Sequence, residues 1–326
     1  MQPQIRRQHH MPFGAQLTPA GAVRFRLWAP AARQVDLMLY DTGGTQPLAM
    51  RALPGGWFEL ETGAARAGSL YRFRLDGVRE VADPASRRNP QGVHGPSEVI
   101  DPCAFAWDDG DWRAPPWPAA VIYELHVGAF SPEGSFAGAG ARLEHLARLG
   151  VTAVELMPVA AFPGARGWGY DGVLPYAPHG SYGTPQQLKA LIAAAHRCGL
   201  AMLLDVVYNH FGPEGNYLHW YAPQFFNPRH VTPWGPAINF DGPDSAAVRQ
   251  FFIHNALYWL EEYHFDGLRL DAIHAVHDES EPHIVTEIAR AARAGEGRNR
   301  TIYLTLENLD NAVRAISVTM CGSLSS

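Results

Sequence analysis

The sequence predicts an N-terminal antiparallel β-sandwich followed by an incomplete (β/α)8 barrel of about five strands. Three observations predict it. Between residues 12 and 102, short runs alternate apolar and polar residues with a period of two, the pattern of half-buried strands. After residue 120, buried strands alternate with amphipathic helices, the rhythm of parallel βα units; no glycine-rich nucleotide loop accompanies them, which favours a barrel over a doubly wound sheet. From residue 121 onward about 200 residues remain, against about 250 for a complete barrel.

In the sandwich, residues 12–102, the clearest strands are Val23-Arg24-Phe25-Arg26-Leu27 and Leu70-Tyr71-Arg72-Phe73-Arg74-Leu75, with Gly, Pro and Asp turns between such runs. Residues 103–120 contain AWDDGDWRAPPWPA, which sustains neither helix nor central strand and marks a linker. The partial barrel occupies residues 121–311, with strands expected at Val121–Leu125, Val151–Leu156, Ala201–Val207, Gly267–Asp271 and Ile302–Glu307. One helix opens at Thr184-Pro185-Gln186-Gln187, where threonine caps, proline suits the first turn and glutamine completes a capping box. It buries Leu188, Leu191, Ile192 and Ala195 and stops at Gly199. A second helix, from about Ser245 to Tyr263, gathers Val248, Phe251, Phe252, Asn255 and Trp259 on one side for packing on a sheet. Residues 312–326 contain no acidic side chain and continue no barrel unit.

The polar residues inside these strands are the informative ones. A period of two sends Leu268 and Leu270 to the helices and Arg269 and Asp271 into the barrel, at the strand's C-terminal end where barrel active sites are built. On the next strand Ile302, Leu304 and Leu306 share one face, and Tyr303, Thr305 and Glu307 the other, so Glu307 is expected level with Asp271. Two carboxyls about 5–5.5 Å apart are what a retaining glycosidase uses, one as nucleophile and one as acid/base. Either strand alone is as well explained by an Asp271–Arg269 pair and a loop-capping Glu307; the coincidence of two favours catalysis. The strand AMLLDVVYNH puts Asp205 and Asn209 on one face, with His210 just beyond. The aromatic loop before it carries Tyr170 and Asp171, and flat rings suit the C–H faces of sugars.

At this point the residues resemble a known family. WGYD (168–171), DVVYNH (205–210), GLRLDAIH (267–274) and LTLEN (304–308) are similar, in order and spacing, to signature regions of the α-amylase superfamily of glycoside hydrolases. NPQGVHGPSEVID (89–101), VIYELHVGAFSPEGSF (121–136), YNHFGPEGNYL (208–218) and TPWGPAINFD (232–241) narrow the resemblance to its trehalose-releasing members, the malto-oligosyltrehalose trehalohydrolase family, over nearly all of residues 12–311. The resemblance implies Asp271 as nucleophile and Glu307 as acid/base, with Arg269 holding the nucleophile ionised. It implies Tyr170 stacked on the sugar at the cleavage point, Asp171 and His210 beside it, and Asp205 with Asn209 as braces. His274 stands where many amylases have lysine and Ala275 where they have histidine, which fits trehalohydrolases. The sandwich is expected to be early-set immunoglobulin-like and glucan-associated.

The implied reaction cleaves the α-1,4 bond beside the trehalose end of maltooligosyl-trehalose, or acts on a related α-glucan, with no cofactor. A branching or isoamylase-type debranching enzyme is the alternative within the class; a non-catalytic glucan-binding remnant is the alternative outside it. The family's fourth region and strands six to eight are not found, so the chain is expected to be a truncated, inactive and poorly soluble form with unpaired sheet edges.

Composition bounds the rest. A net charge of −6, with lysine only at position 189, offers no basic field for nucleic acid or an anionic membrane. Cys103, Cys198 and Cys321 form no CxxC pair, and the N-terminus is followed by no apolar signal core, so a cytoplasmic location is expected. His274, His277, Asp278 and His283 lack a metal-binding frame and read as a polar loop, with no metal.

Overall fold

The computed structural model describes residues 5–40 and 47–308. Two antiparallel sheets make the sandwich. One runs Gly14–Leu17, Val23–Trp28, Trp57–Thr62 and Arg51–Leu53 in spatial order; the other runs Pro47–Ala49, Val35–Leu39, Leu70–Leu75 and Arg79–Val81, with Ser97–Glu98 also paired to Leu70–Leu75. Alternation decides what each strand buries. Val23, Phe25 and Leu27 from one sheet meet Tyr71, Phe73 and Leu75 from the other, while the intervening arginines stay half-exposed. Phe25 packs edge-on against Tyr71 at 4.8 Å between ring centres.

Five parallel strands follow: Ile122–Leu125, Ala153–Leu156, Ala201–Val206, Gly267–Leu270 and Tyr303–Leu306, in the same order in space as in sequence. This is the first part of a (β/α)8 barrel, an open sheet with edges at the first and fifth strands. Val121, Ile122 and Tyr123 on the first edge are 54%, 41% and 39% exposed. Each strand is one or two residues shorter than the sequence pattern suggested, so Asp271 and Glu307 lie just past their strand ends. Asn209 lies beyond the end of its strand at Val206, and period-two counting does not apply to it. On the inner face, Ala153, Ala201, Leu203 and Tyr303 form an apolar floor.

The helix Pro185–Arg197 has the expected capping box, Thr184 accepting from the Gln187 N–H while the Gln187 side chain accepts from the Thr184 N–H. The helix Ser245–Glu261 differs from expectation. Beyond the expected face, Ile253, Ala256, Tyr258 and Leu260 are buried as well. Tertiary packing is the reason: Phe13 of the sandwich packs edge-on against Phe251 at 5.3 Å, Trp28 lies 5.6 Å from Phe225, and buried Arg87 pairs with Glu262 at 3.3 Å. One continuous apolar core therefore joins sandwich and barrel. A further helix, Ile284–Ala294, is started by Asp278, which accepts from the Ile284 N–H at 2.6 Å and pairs with Arg249 at 2.7 Å. The His277–His283 loop is thus organised around a helix start.

Residues 103–120 hold only short 3-10 turns, yet they are packed rather than loose. Trp107 is buried, and Trp112 and Ala114 lie against the floor of the sheet. Asp109 accepts from His196 at 2.8 Å and from His264 at 2.5 Å, and Trp112 donates to Asp266 at 2.9 Å. The tail 312–326 lies outside the described residues.

Candidate active site

The fourth and fifth strands set two carboxyls side by side. Leu270 and Leu306 are in register, and the next residues, Asp271 and Glu307, share a hydrogen bond. A left-handed turn follows Asp271: Ala272 sits at φ +43° and donates its N–H to Glu307 Oε2 at 2.8 Å. That conformation costs an alanine about 1–2 kcal/mol, and it aims a backbone donor at the second carboxyl.

Arg269 occupies the layer below. One terminal nitrogen reaches Asp205 at 2.6 Å and Asp271 at 3.2 Å, the other reaches Glu307 at 3.2 Å, and Nε lies 3.9 Å from Glu155. Its shortest contact is with Asp205, not with the expected nucleophile. Burial, with Arg269 opposing it, raises the Asp205 carboxyl to about 6. Tyr170 donates its hydroxyl to the same carboxylate at 2.9 Å.

Arg269 acts on Asp271 in the expected direction, but other groups act on it too. Burial and the hydrogen bond to Glu307 push the Asp271 carboxyl up, although Arg269 pulls it down. Glu307 is also desolvated, but the Ala272 N–H, Arg269 and Asp271 together hold it below the usual carboxylate range. The two carboxyls are thus pushed in opposite directions, Asp271 up chiefly by burial and Glu307 down by the Ala272 N–H and Arg269.

The remaining candidates are arranged around this pair. Asn209, fully buried, donates to the Asp271 backbone carbonyl at 3.2 Å and to its carboxylate at 3.4 Å. His210 hydrogen-bonds Asn209, has its imidazole pushed below the usual range by burial, and stacks on Trp234 at 5.2 Å from the hairpin Phe226–Thr232/Gly235–Ile238. Tyr170 and Asp171 are brought in by glycines: Gly169 has φ +100° and a Cβ there would lie 2.1 Å from the Pro158 carbonyl, while one on Gly212 would lie 2.1 Å from that of Asp171. Asp171 and His274 are exposed, the latter within electrostatic reach of Glu307.

Two site residues escaped the sequence reading. Glu155 is 8% exposed on the second strand, and its signal was a lone charge at an inward position of AVEL. Trp234 had no local signal, because only the hairpin's fold brings it to His210. As for metals, one His/Cys/Asp/Glu group among the described residues has suitable spacing, Asp109, His196 and His264, at the opposite end of the strands. Its ligand atoms already hydrogen-bond one another, and Arg7 lies 3.3 Å from Asp109, a poor setting for a cation.

Residues 12–104 match the family described as carbohydrate-binding module 48 (isoamylase N-terminal domain), and residues 89–226 match the α-amylase catalytic domain. With its sandwich, parallel sheet and carboxyl pair, the chain belongs to the α-amylase superfamily of glycoside hydrolases. Within it, the similarity is to malto-oligosyltrehalose trehalohydrolases: 46% identity to that of Deinococcus radiodurans over 91% of this chain, and 47% to that of Saccharolobus solfataricus over 86%. A crystal structure of a putative α-amylase from Salmonella typhimurium superimposes with a TM-score of 0.86 at 49% identity, over 90% of this chain and 49% of that one. The chain spans about half the length of the curated relatives it matches, 50% and 49% for the first two.

Proposed function

We propose that this chain carries the reacting carboxyls of a glycosidase that cleaves the α-1,4 bond beside the trehalose end of maltooligosyl-trehalose, releasing trehalose. The observation that carries the reading is the Asp271–Glu307 pair on adjacent strand ends, bound to one guanidinium. In the first step the Asp271 carboxylate attacks the anomeric carbon while Glu307 delivers a proton to the departing oxygen; in the second Glu307 takes a proton from water, which displaces Asp271. For the first step the proton must stand on Glu307 and the negative charge on Asp271. Asn209 and Arg269 then stabilise the bared Asp271.

Support for the substrate class comes from the names of the relatives and from the aromatic surround of Tyr170, Trp234 and Trp168, the last 75% exposed. Two free cysteines, Cys103 and Cys198, suit a reducing compartment, and we place the protein in the cytoplasm. No helix among the described residues is long and apolar enough to cross a membrane. Incubation with maltooligosyl-trehalose tests the reading: free trehalose is expected from the chain extended to the length of its relatives, and none from the 326 residues alone. New α-1,6 branches formed from amylose would point instead to a branching enzyme, and saturable glucan binding without turnover to a binding role.

A further inference from the structure

Among the described residues, the inner face of the sheet carries five carboxyl groups above its apolar floor, Glu124, Glu155, Asp205, Asp271 and Glu307, around the single guanidinium of Arg269. We propose that Glu155 is a positioning residue for the reacting pair. Its carboxyl faces the Nε edge of Arg269 from below at ion-pair distance, 3.9 Å, and its charge competes with Asp271 and Glu307 for that guanidinium. The proposal rests on the reading of those two residues as the reacting carboxyls.

The geometry carries it. A guanidinium is a rigid planar fork, so with one terminal nitrogen fixed on Asp205 at 2.6 Å its Nε edge is turned toward Glu155. Here Nε faces Glu155 at 3.9 Å, and the terminal nitrogens face Asp205 at 2.6 Å, Asp271 at 3.2 Å and Glu307 at 3.2 Å. Glu155 is buried on the second strand, in register with Glu124 of the first. The ionisable groups facing it are Glu124 from the first strand, Asp205 from the third and Arg269 from the fourth. One layer above stand Asp271 from the end of the fourth strand, Glu307 from the end of the fifth, and the Tyr170 phenol on Asp205 from the loop after the second. Desolvation first and Asp205 second raise the Glu155 carboxyl to about 7, with Arg269 opposing them. Near neutrality it thus passes between a neutral acid, which leaves Arg269 to the upper carboxyls, and an anion, which competes for it. Linkage makes the effect mutual: a charge on Glu155 raises the proton affinity of the pair, and a charge on the pair raises that of Glu155.

The test is carboxyl 13C NMR of the full chain, labelled at Glu Cδ and Asp Cγ, titrated from pH 4 to 9 beside Glu155→Gln. One glutamate signal with a midpoint near 7 is expected in the parent and absent from the variant, whose Asp271 midpoint, identified with Asp271→Asn, falls by up to about one pH unit. If Glu155→Gln fails to fold, Glu155→Asp serves instead: its shorter side chain cannot keep the Arg269 contact, and the Asp271 midpoint is expected to move while a titrating group remains in the floor. A glutamate at 155 that titrates in the ordinary range, or an Asp271 midpoint untouched by either substitution, overturns the proposal. Trehalose release is followed in parallel in the chain extended to the length of its relatives. The NMR coupling without any release supports the Glu155 assignment while removing the hydrolase reading, and release without the coupling does the reverse.

Discussion

His196→Leu probes how the 103–120 segment is fastened to the barrel. His196 Nδ1 contacts Asp109 at 2.8 Å and Nε2 contacts Asp266 at 3.1 Å, with all three side chains 1–2% exposed. Leucine keeps much of the volume but removes both hydrogen bonds, each charge-assisted and each worth about 1.5–3 kcal/mol. The two carboxylates are not left bare: Asp109 keeps His264 and Arg7, and Asp266 keeps Arg300, Trp112 and the Met202 N–H. The cost should therefore be about 3 kcal/mol at pH 6, at the lower end of the ~3–5 kcal/mol for breaking a buried ion pair. The sign of the pH dependence is fixed as well. Although burial opposes it, the hydrogen bonds and charges of Asp109 and Asp266 raise the imidazole above its usual 6.5. Its contribution is then full below about pH 6.5 and is lost as pH rises through the raised value, so parent and variant should converge at alkaline pH. Guanidinium unfolding followed by tryptophan fluorescence measures this, since Trp112 stacks on the His196 ring at 4.6 Å with an 8° interplanar angle. A loss below about 1 kcal/mol at pH 6, or a gap that does not narrow with pH, would refute the reasoning.

Three other outcomes follow from the same coordinates. In the chain extended to the length of its relatives, Asp271→Asn and Glu307→Gln should each lower trehalose release at least ~1000-fold, by removing the nucleophile and the transferable proton, with near-UV circular dichroism unchanged. Thr184→Ala should cost about 1 kcal/mol in chemical unfolding, because the capping box loses its acceptor for the Gln187 N–H. Gly169→Ala should destabilise by more than ~2 kcal/mol and displace the loop bearing Tyr170, read as loss of maltooligosaccharide binding in calorimetry, since the new Cβ meets the Pro158 carbonyl.

Much of the architecture was legible because it is local. A period of two tells which face of a strand each residue takes, and the Thr184 capping box and the positive φ of Gly199 are written within a few residues of the helix they bound. The same rule set Asp271 and Glu307 level, because parallel register carries the count from Leu270 to Leu306. What the tertiary structure alone decided concerns quantities summed over neighbours remote in sequence. The burial of both faces of Ser245–Glu261 depends on Phe13, and the fastening of residues 103–120 on partners 87–155 positions away. The choice of Asp205 as Arg269's nearest partner, the opposite shifts of Asp271 and Glu307, and the part assigned to Glu155 depend on how one guanidinium is divided among carboxyls from several strands. Hydrophobic periodicity fixes direction, but desolvation and Coulomb energy depend on distance in space, which only the folded chain sets.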